Sequence, residues 1–192
     1  MKACVLLGNT REKSNTEAAV KLFTDALAAI GVEVKTFALR KKNIQTCVGC
    51  DKCHEVMDSF GCVIKDDMQE IAGEILSSDL VVFTTPIYTW FATPPLKALM
   101  DRLYAFAKFT DTVKMFNLMK KQHFALIATS GDACERNCDL LDKAIGRLAD
   151  FANRPYLGYF AVQDKGHENN TRQEVAEGAR AFAEKCVGRL GS

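Results

Sequence analysis

The sequence predicts an α/β fold: a doubly wound sheet of five parallel strands with helices on both faces. Along the 192 residues, the hydrophobic period switches between strand-like and helix-like five times. Strands that alternate with helices form a parallel sheet, and right-handed crossovers place the helices on both faces. The run 79–85 is the most apolar of the predicted strands, so we expect it to be central, with both faces buried.

Each strand and helix can be assigned from local patterns. Apolar runs predict strands at 2–8, 32–38, 79–85, 122–129 and 155–162. Pro155 opens the last run, which favours an edge strand because proline cannot donate a ladder hydrogen bond. Ser14 and Glu17 form a capping-box pattern before the first helix, expected over 15–30. The other predicted helix starts are Asp66, Thr93 with Pro94, Asp132 and Thr171.

One segment, 106–121, has no clear period; we expect it to extend the third helix and then form a loop or a subunit contact.

The composition of the chain is apolar and nearly neutral. Hydrophobic residues make up 48% of the chain, and 25 Lys and Arg stand against 24 Asp and Glu. This composition predicts one globular domain over 1–192 and disfavours a disordered chain. The near-neutral charge predicts no nucleic-acid partner. Apolar runs too short for a membrane span, and a start too brief for a signal peptide, predict a cytoplasmic protein with no membrane partner.

Eight cysteines are present, and four of them fall in the loop 39–62. These four are Cys47, Cys50, Cys53 and Cys62, with the spacing C-x2-C-x2-C-x8-C. A reducing compartment discourages structural disulfides, so the cluster indicates metal or redox chemistry. Cys134 and Cys138 form a second pair, either a redox disulfide or two reduced thiols on one helix face. Cys4 and Cys186 lie among apolar residues and are expected in the core.

Ligands of doubly wound sheets bind beyond the carboxyl ends of the strands, here the loops 8–16, 86–93 and 130–134. The first loop has neither a Walker nor a G-x-G-x-x-G pattern, but it offers hydroxyls, an amide and Arg11 at a helix start. Such a turn either binds a phosphate or is an ordinary capped turn. The second loop carries three aromatic residues, which stack on a planar ligand or pack under a neighbouring loop or in a dimer interface.

Together these motifs resemble the flavodoxin-like NAD(P)H-dependent FMN reductases and, within them, the iron–sulfur flavoprotein branch. The resemblance is carried by Gly8 with Arg11, Ser14-Asn15-Thr16, the four-cysteine block, the segment 62–68, Thr85-Pro86-Ile87-Tyr88, Leu96-Lys97 and Asp101-Arg102. It implies a flavodoxin-like fold, with the FMN phosphate in the first loop and the ring against the second and third. Asn9-Thr10 departs from the family pattern, where Ser-Pro is usual, and so does the long gap before Cys62.

The resemblance also implies site residues by position. Those for the phosphate are Arg11, Ser14, Asn15 and Thr16, with Asn9 and Thr10 in the same cofactor-binding loop. Those for the ring are Pro86, Ile87, Tyr88 and Trp90, with Ser130 and Gly131 at its far edge. The cysteines at 47, 50, 53 and 62 would hold a [4Fe–4S] cluster near the flavin. Two alternatives stay open for these cysteines. They hold no cofactor, or they bind a zinc ion with His54 replacing one of the thiolates.

The function implied is an FMN-dependent oxidoreductase. It would take electrons from NAD(P)H or a ferredoxin-like redox protein and pass them to a quinone, a free flavin, oxygen or another small acceptor. A homodimer or homotetramer is expected. Two other classes stay open: a flavodoxin-like electron carrier that catalyses nothing itself, and a thiol- or zinc-based redox sensor on the same scaffold.

Overall fold

The computed structural model describes residues 1–163 and 173–190, and its centre is a parallel sheet. Within the described residues the strands are β1 (Lys2–Leu7), β2 (Glu33–Ala38), β3 (Leu80–Pro86), β4 (Ala107–Lys108), β5 (Phe116–Asn117), β6 (His123–Ser130) and β7 (Tyr156–Gln163). Five of them form the main sheet in the order β2-β1-β3-β6-β7, and every neighbouring pair is parallel. The predicted fold class is confirmed, with β3 central and β7 at an edge.

Helices cover both faces of this sheet. In the described residues they are α1 (Asn15–Ala29), α2 (Met68–Ser77), α3 (Pro94–Arg102), α4 (Cys134–Asn137), α5 (Asp139–Ala152) and α6 (Gln173–Leu190). Short 3-10 turns occur at Leu39–Lys41, Lys52–His54 and Leu103–Phe106. Among these residues no helix is long and apolar enough to cross a membrane.

Alternate residues of the strands pack into two separate hydrophobic cores, one on each face of the sheet. In β1, Val5 points to the core formed with α1 and α6, and Leu6 points to the core formed with α2, α3 and α5. This is the period of two that a strand imposes when both of its faces are covered. Cys4 and Cys186 are fully buried, one in each core, as expected for small apolar residues.

The helix starts agree with the sequence at some positions and differ at others. Ser14 caps α1, because its side chain accepts the backbone N–H of Glu17. The N-cap of α2 is Asp67 and not Asp66. The Asp66 carboxylate does accept the backbone N–H of Met68, the first residue of α2, and it also accepts bonds from more distant residues that are described below. The helix expected from Asp132 is divided at Cys138 into α4 and α5. The predicted cap Thr171 lies outside the described residues.

The segment of unclear period, 106–121, does not extend α3. It forms the antiparallel ribbon of β4 and β5, which is joined to the preceding turn by a bond from the backbone N–H of Leu118 to the carbonyl of Phe106. The ribbon packs beside the cysteine loop, because Lys108 of β4 reaches two of that loop's carbonyls. It therefore supports the segment that carries the four clustered cysteines.

The strand order has its switch point between β1 and β3, since the chain leaves β1 toward β2 on one side and returns to β3 on the other. Ligands of such sheets bind at this point, beyond the carboxyl ends of the strands. The loops after β1, β3 and β6 all emerge there. The fold thus brings together the three loops that the sequence singles out.

Candidate functional site

A cleft of about 290 Å³ opens at the carboxyl edge of the sheet. Its walls are Asn9, Thr10, Arg11, Ser14, Asn15, Thr16, Pro86, Ile87, Tyr88, Thr129, Ser130 and Gly131. Eleven of the twelve residues predicted for a cofactor lie in this one cleft. Trp90 is the exception: it is absent from the walls and its side chain is 54% exposed.

The first wall depends on a close approach of the backbone at Gly8. Its N–H donates to the carbonyl of Thr84 at 2.8 Å, and its carbonyl accepts the hydroxyl of Thr93. A Cβ at this position would lie 2.7 Å from the Thr84 oxygen, closer than real Cβ atoms come, so only glycine fits. Where the loop leaves β1, its backbone is therefore held by hydrogen bonds to β3 and to the residue that precedes α3.

Asn9 then turns the loop toward the cleft and is fully buried. Its Nδ2 donates to the carbonyl of Arg11 at 2.6 Å, and its Oδ1 accepts from Arg40 Nη1 at 3.2 Å. Arg40 in turn pairs with Glu17 at 3.4 Å and with Glu12 at 3.7 Å. Arg40, which lies just after β2, thus holds the loop that follows β1 in place. This supporting role of Arg40 was not predicted from the sequence.

The first turn of α1 presents polar groups that have no partner among residues 1–163 and 173–190. Ser14 satisfies the N–H groups of Glu17 and Ala18, whereas the first amides of any helix, here those of Asn15 and Thr16, have no intrahelical acceptor. Asn15 is buried, and its Oδ1 is without a hydrogen-bond partner in the described part of the chain. The guanidinium of Arg11 is exposed at the same cleft and likewise lacks a partner among the described residues. A phosphate and a hydroxyl-bearing chain would satisfy this set.

The second wall is a strained turn. Tyr88 and Phe91 exchange two backbone hydrogen bonds of 3.0 Å, which closes a tight hairpin around Thr89 and Trp90. Both central residues have positive φ, 48° for Thr89 and 61° for Trp90, where Asn and Gly are usual. Such strain is found preferentially at functional sites. The Tyr88 hydroxyl lies 3.0 Å from Thr10 Oγ1, so the turn is tied to the first loop.

The third wall is held to the other two through Thr129. Its carbonyl accepts the N–H of Ile87 at 2.7 Å, and its hydroxyl lies 2.7 Å from the hydroxyl of Thr16. Ser130 follows, and its hydroxyl donates to the carbonyl of Asp132 at 2.7 Å, forming a small turn at the cleft edge. Thr129 was not predicted as a site residue, although it immediately precedes the small residues that were.

A second cavity, of about 140 Å³, lies in the cysteine loop. All four clustered cysteines line it, together with apolar residues and the charged residues Asp51, Asp101 and Arg102. Gly49 and Asp51 adopt positive φ of 63° and 56°, which turns the chain between the first three cysteines. Cys47 and Cys50 are exposed, and Cys53 and Cys62 are partly buried. In the described residues no group of three or more His, Cys, Asp or Glu is arranged to hold a metal ion.

Two buried cations stand beside these cysteines. Arg102 is 1% exposed; its Nη2 lies 3.4 Å from Cys62 Sγ, and its Nη1 lies 2.5 Å from the carboxylate of Asp66. Lys108 is fully buried and donates to the carbonyl of Cys53 at 2.8 Å. Burial lowers the pKa of Lys108, because the charged ammonium loses its hydration.

His54, the residue considered as a replacement zinc ligand, is not in the walls of this cavity. Its Nδ1 lies 2.7 Å from the carbonyl of Ala107, and its ring packs on Phe109 and edge-on to Tyr104. These contacts join the cysteine loop to the β4–β5 ribbon. In this structure His54 therefore has a packing role.

A switch-point cleft with an unpartnered helix start is typical of flavodoxin-like proteins that bind a phosphorylated cofactor. The family described as NADPH-dependent FMN reductase matches residues 1–147. The chain therefore belongs to the NADPH-dependent FMN reductase family. This confirms the predicted family and, at the family level, its class of NAD(P)H-dependent flavin oxidoreductases, with FMN as the family's cofactor.

Named relatives agree with the predicted branch. An iron–sulfur flavoprotein of Methanocaldococcus jannaschii is 36% identical over 105 residues, covering 55% of this chain and 52% of the relative. One of Archaeoglobus fulgidus is 31% identical over 103 residues, covering 54% and 46%. The match thus spans about half the length of these curated relatives.

Solved structures share the fold at low sequence identity. An NAD(P)H:quinone oxidoreductase from Methanothermobacter marburgensis superimposes with a TM-score of 0.75 at 16% identity, covering 96% of this chain and 95% of that one. An FMN-dependent NADH-azoreductase from Bacillus anthracis, solved with FMN, has a TM-score of 0.65 at 16% identity, covering 100% and 99%. These likenesses confirm the flavodoxin-like fold.

Proposed function

We propose that this protein binds FMN in the switch-point cleft and transfers electrons from NAD(P)H or a ferredoxin-like protein to a small acceptor such as a quinone. The observation that carries the proposal is the convergence of eleven predicted residues on one cleft in a chain of this family. When bound, FMN supplies the hydride and single-electron chemistry, and the protein supplies binding, orientation and electrostatics.

The phosphate end of the cofactor is proposed to lie at the start of α1. Arg11 supplies there a cation that pairs with none of the described residues, and the hydroxyls of Ser14 and Thr16 flank the amides of the first turn, which have no intrahelical acceptor. The buried Oδ1 of Asn15 is an unsatisfied acceptor that suits a hydroxyl of the ribityl chain. An acceptor buried without a partner costs about 1–3 kcal/mol, so the cleft gains stability when a ligand satisfies it.

The ring end is proposed to lie between the second and third walls. Pro86, Ile87 and Tyr88 form one side, and the small Ser130 and Gly131 form the far edge. Trp90 stands outside these walls, half exposed in the strained turn. We propose that it covers the ring from the open side, since an exposed indole beside a planar site stacks readily.

A [4Fe–4S] cluster is proposed for the cysteine cavity, with Cys47, Cys50, Cys53 and Cys62 as its ligands. The chemistry of the donors fits: four thiols line one small, mainly apolar cavity. The N–H of Gly49 donates to Cys47 Sγ at 3.5 Å, and Arg102 donates to Cys62 Sγ at 3.4 Å. Hydrogen bonds to sulfur are among the features that set the potential of such clusters.

The proposal is tested on protein purified without oxygen. Visible flavin bands, a broad shoulder near ~400–420 nm and about four irons with matching sulfide per chain are expected. The sample should then oxidise NADH or NADPH when a quinone is added. Protein that contains flavin but no iron would rule out the cluster and support an FMN reductase without one. Flavin with no NAD(P)H oxidation would favour the electron-carrier alternative, and a colourless zinc protein would favour the redox sensor.

A cysteine variant separates a cluster from adventitious iron. Cys53→Ser removes one proposed ligand and is expected to abolish bound iron and sulfide. Cys186→Ser removes a fully buried core thiol far from the cavity and is the matched control. Iron that survives in Cys53→Ser at the level of the control would rule out this ligand set.

A further inference from the structure

The second cysteine pair lies directly behind the third wall of the cleft. Cys134 begins α4, and the backbone N–H of Cys138 donates to its carbonyl at 2.9 Å, so the two residues are one helical turn apart. Ser130, in the cleft wall, lies with its hydroxyl 3.5 Å from Cys134 Sγ. The pKa of the Cys138 thiol responds to both the Ser130 hydroxyl and the Cys134 thiol, which are therefore its neighbours. The two sulfurs and the hydroxyl therefore form one cluster.

The Cα spacing is within reach of a disulfide, and the Cβ spacing requires the turn to tighten. Residues one α-helical turn apart, at i and i+4, have Cα atoms about 6.2 Å from each other, within the range of roughly 4.4–6.8 Å that disulfides span. Their Cβ atoms are about 5–6 Å apart in a regular helix, against roughly 3.5–4.5 Å in a disulfide. Because α4 has only four residues and ends just before Cys138, closing the bond requires adjustment of a single turn.

The two thiols differ in exposure. Cys134 is partly exposed, whereas Cys138 is completely buried. Burial raises the pKa of the Cys138 thiol to about 11, so it stays protonated near neutral pH. An oxidant from solvent therefore reacts first with the accessible Cys134, and the buried Cys138 reacts in the second step.

We propose that Cys134 and Cys138 are a peroxide-oxidised dithiol that closes to a reversible disulfide and thereby alters the neighbouring cleft. The Cys134 sulfur attacks hydrogen peroxide, the O–O bond breaks, and a sulfenic acid and one water form. The Cys138 sulfur then attacks that sulfenic sulfur as its thiol gives up its proton; the S–S bond forms, the S–O bond breaks, and the hydroxide takes that proton and leaves as a second water. In all, the two thiols lose two electrons and two protons, and one peroxide becomes two waters. A dithiol reductant reverses the change by exchange.

Ser130 transmits this change to the cleft. Its own proton is used on the carbonyl of Asp132, so its oxygen is the acceptor for the Cys134 thiol proton. Disulfide formation removes that S–H donor, and the turn at Ser130 loses its support. Resting on the proposed FMN site, this step is expected to weaken FMN binding about five-fold, the equivalent of one hydrogen bond.

Trypsin provides a direct test, because it cleaves after Arg136, between the two cysteines. The full-length protein is treated with hydrogen peroxide, its remaining thiols are alkylated, and it is digested. A linked pair of peptides 122–136 and 137–143 that separates on reduction is expected. A digest without that linked pair overturns the proposal, whether Cys134 is still a thiol or has become a sulfinic acid.

Variants then test the order of events and the coupling. Cys138→Ser is expected to stop at a sulfenic acid that a dimedone reagent traps on Cys134. Cys134→Ser retains the other seven cysteines, and its FMN affinity should not respond to peroxide. A five-fold response that persists in Cys134→Ser would overturn the coupling. The digest needs no FMN, so linked peptides from protein that fails to bind FMN would refute the proposed function and not the disulfide.

Discussion

Arg102 and Asp66 form a buried ion pair, with Nη1 2.5 Å from Oδ2 and side chains that are 1% and 0% exposed. The same guanidinium donates to Cys62 Sγ at 3.4 Å and to the carbonyls of Gln45 and Ile64. Asp66 in turn accepts the backbone N–H groups of Gln45 and Met68. The pair therefore joins α3, α2 and both ends of the cysteine loop.

Arg102→Met should destabilise the fold strongly, because it leaves the Asp66 carboxylate buried without its cation. Loss of one partner of a buried pair costs about 3–5 kcal/mol. Urea unfolding measures the loss, and the double variant Arg102→Met with Asp66→Asn, which removes both charges, should recover part of it. A single variant within about 1 kcal/mol of wild type would show that the pair contributes little.

Stability should also fall in acid. Burial opposes ionisation of Asp66, but the bonds from Arg102, Gln45 and Met68 outweigh it and lower its pKa. A carboxyl whose folded pKa is lowered stabilises the protein above its unfolded pKa, about 3.9 for Asp, and this stability is lost as the pH falls further. Urea midpoints should thus decrease below about pH 4, and Asp66→Asn should flatten that decrease. An unchanged slope in the variant would contradict the assignment.

Arg11→Ala should weaken FMN binding by about 1.5–3 kcal/mol, the range for a hydrogen bond to a charged group. Lys13→Ala is the matched control, because Lys13 is an exposed cation of the same loop that does not line the cleft. Titration of each variant with FMN gives the comparison. Equal affinities for the two variants would remove Arg11 from the phosphate site.

The bond between Tyr88 and Thr10 should couple the two loops during binding. Tyr88→Phe and Thr10→Val each remove one hydroxyl of the 3.0 Å contact, and each should weaken FMN binding by about 1 kcal/mol. The double variant should lose little more than either single one, because the same bond is lost. Tyr159→Phe, on an edge strand outside the cleft, is the control. Additive losses would indicate that the hydroxyls act independently.

The parts of the fold that were predictable are those governed by local periodicity. Strand β1 was expected at 2–8 and runs from Lys2 to Leu7, and Ser14 caps α1 as its pattern indicates. The cleft followed from the rule that loops after parallel strands meet at one edge. The start predicted at Asp66 lies one residue before the observed cap, Asp67. The carboxylate of Asp66 also binds Arg102, 36 residues away, and no local pattern reveals such a partner.

Long-range contacts also explain the site residues that were missed. Arg40 reaches Asn9 across 31 positions, and Lys108 reaches Cys53 across 55. A lysine in a segment without clear period gives little sign that it will be buried. The only available signal was the position of Arg40 just after β2, where its charge faces the loop that follows β1.

The central claim, one FMN in the switch-point cleft, is tested most directly by fluorescence. The chain has a single tryptophan, Trp90, in the strained turn beside the cleft. Titration with FMN is predicted to quench its emission and to saturate at one FMN per chain, with a weaker curve for Arg11→Ala. Emission that is unchanged by FMN, or that falls equally in wild type and Arg11→Ala without saturating, would contradict the claim.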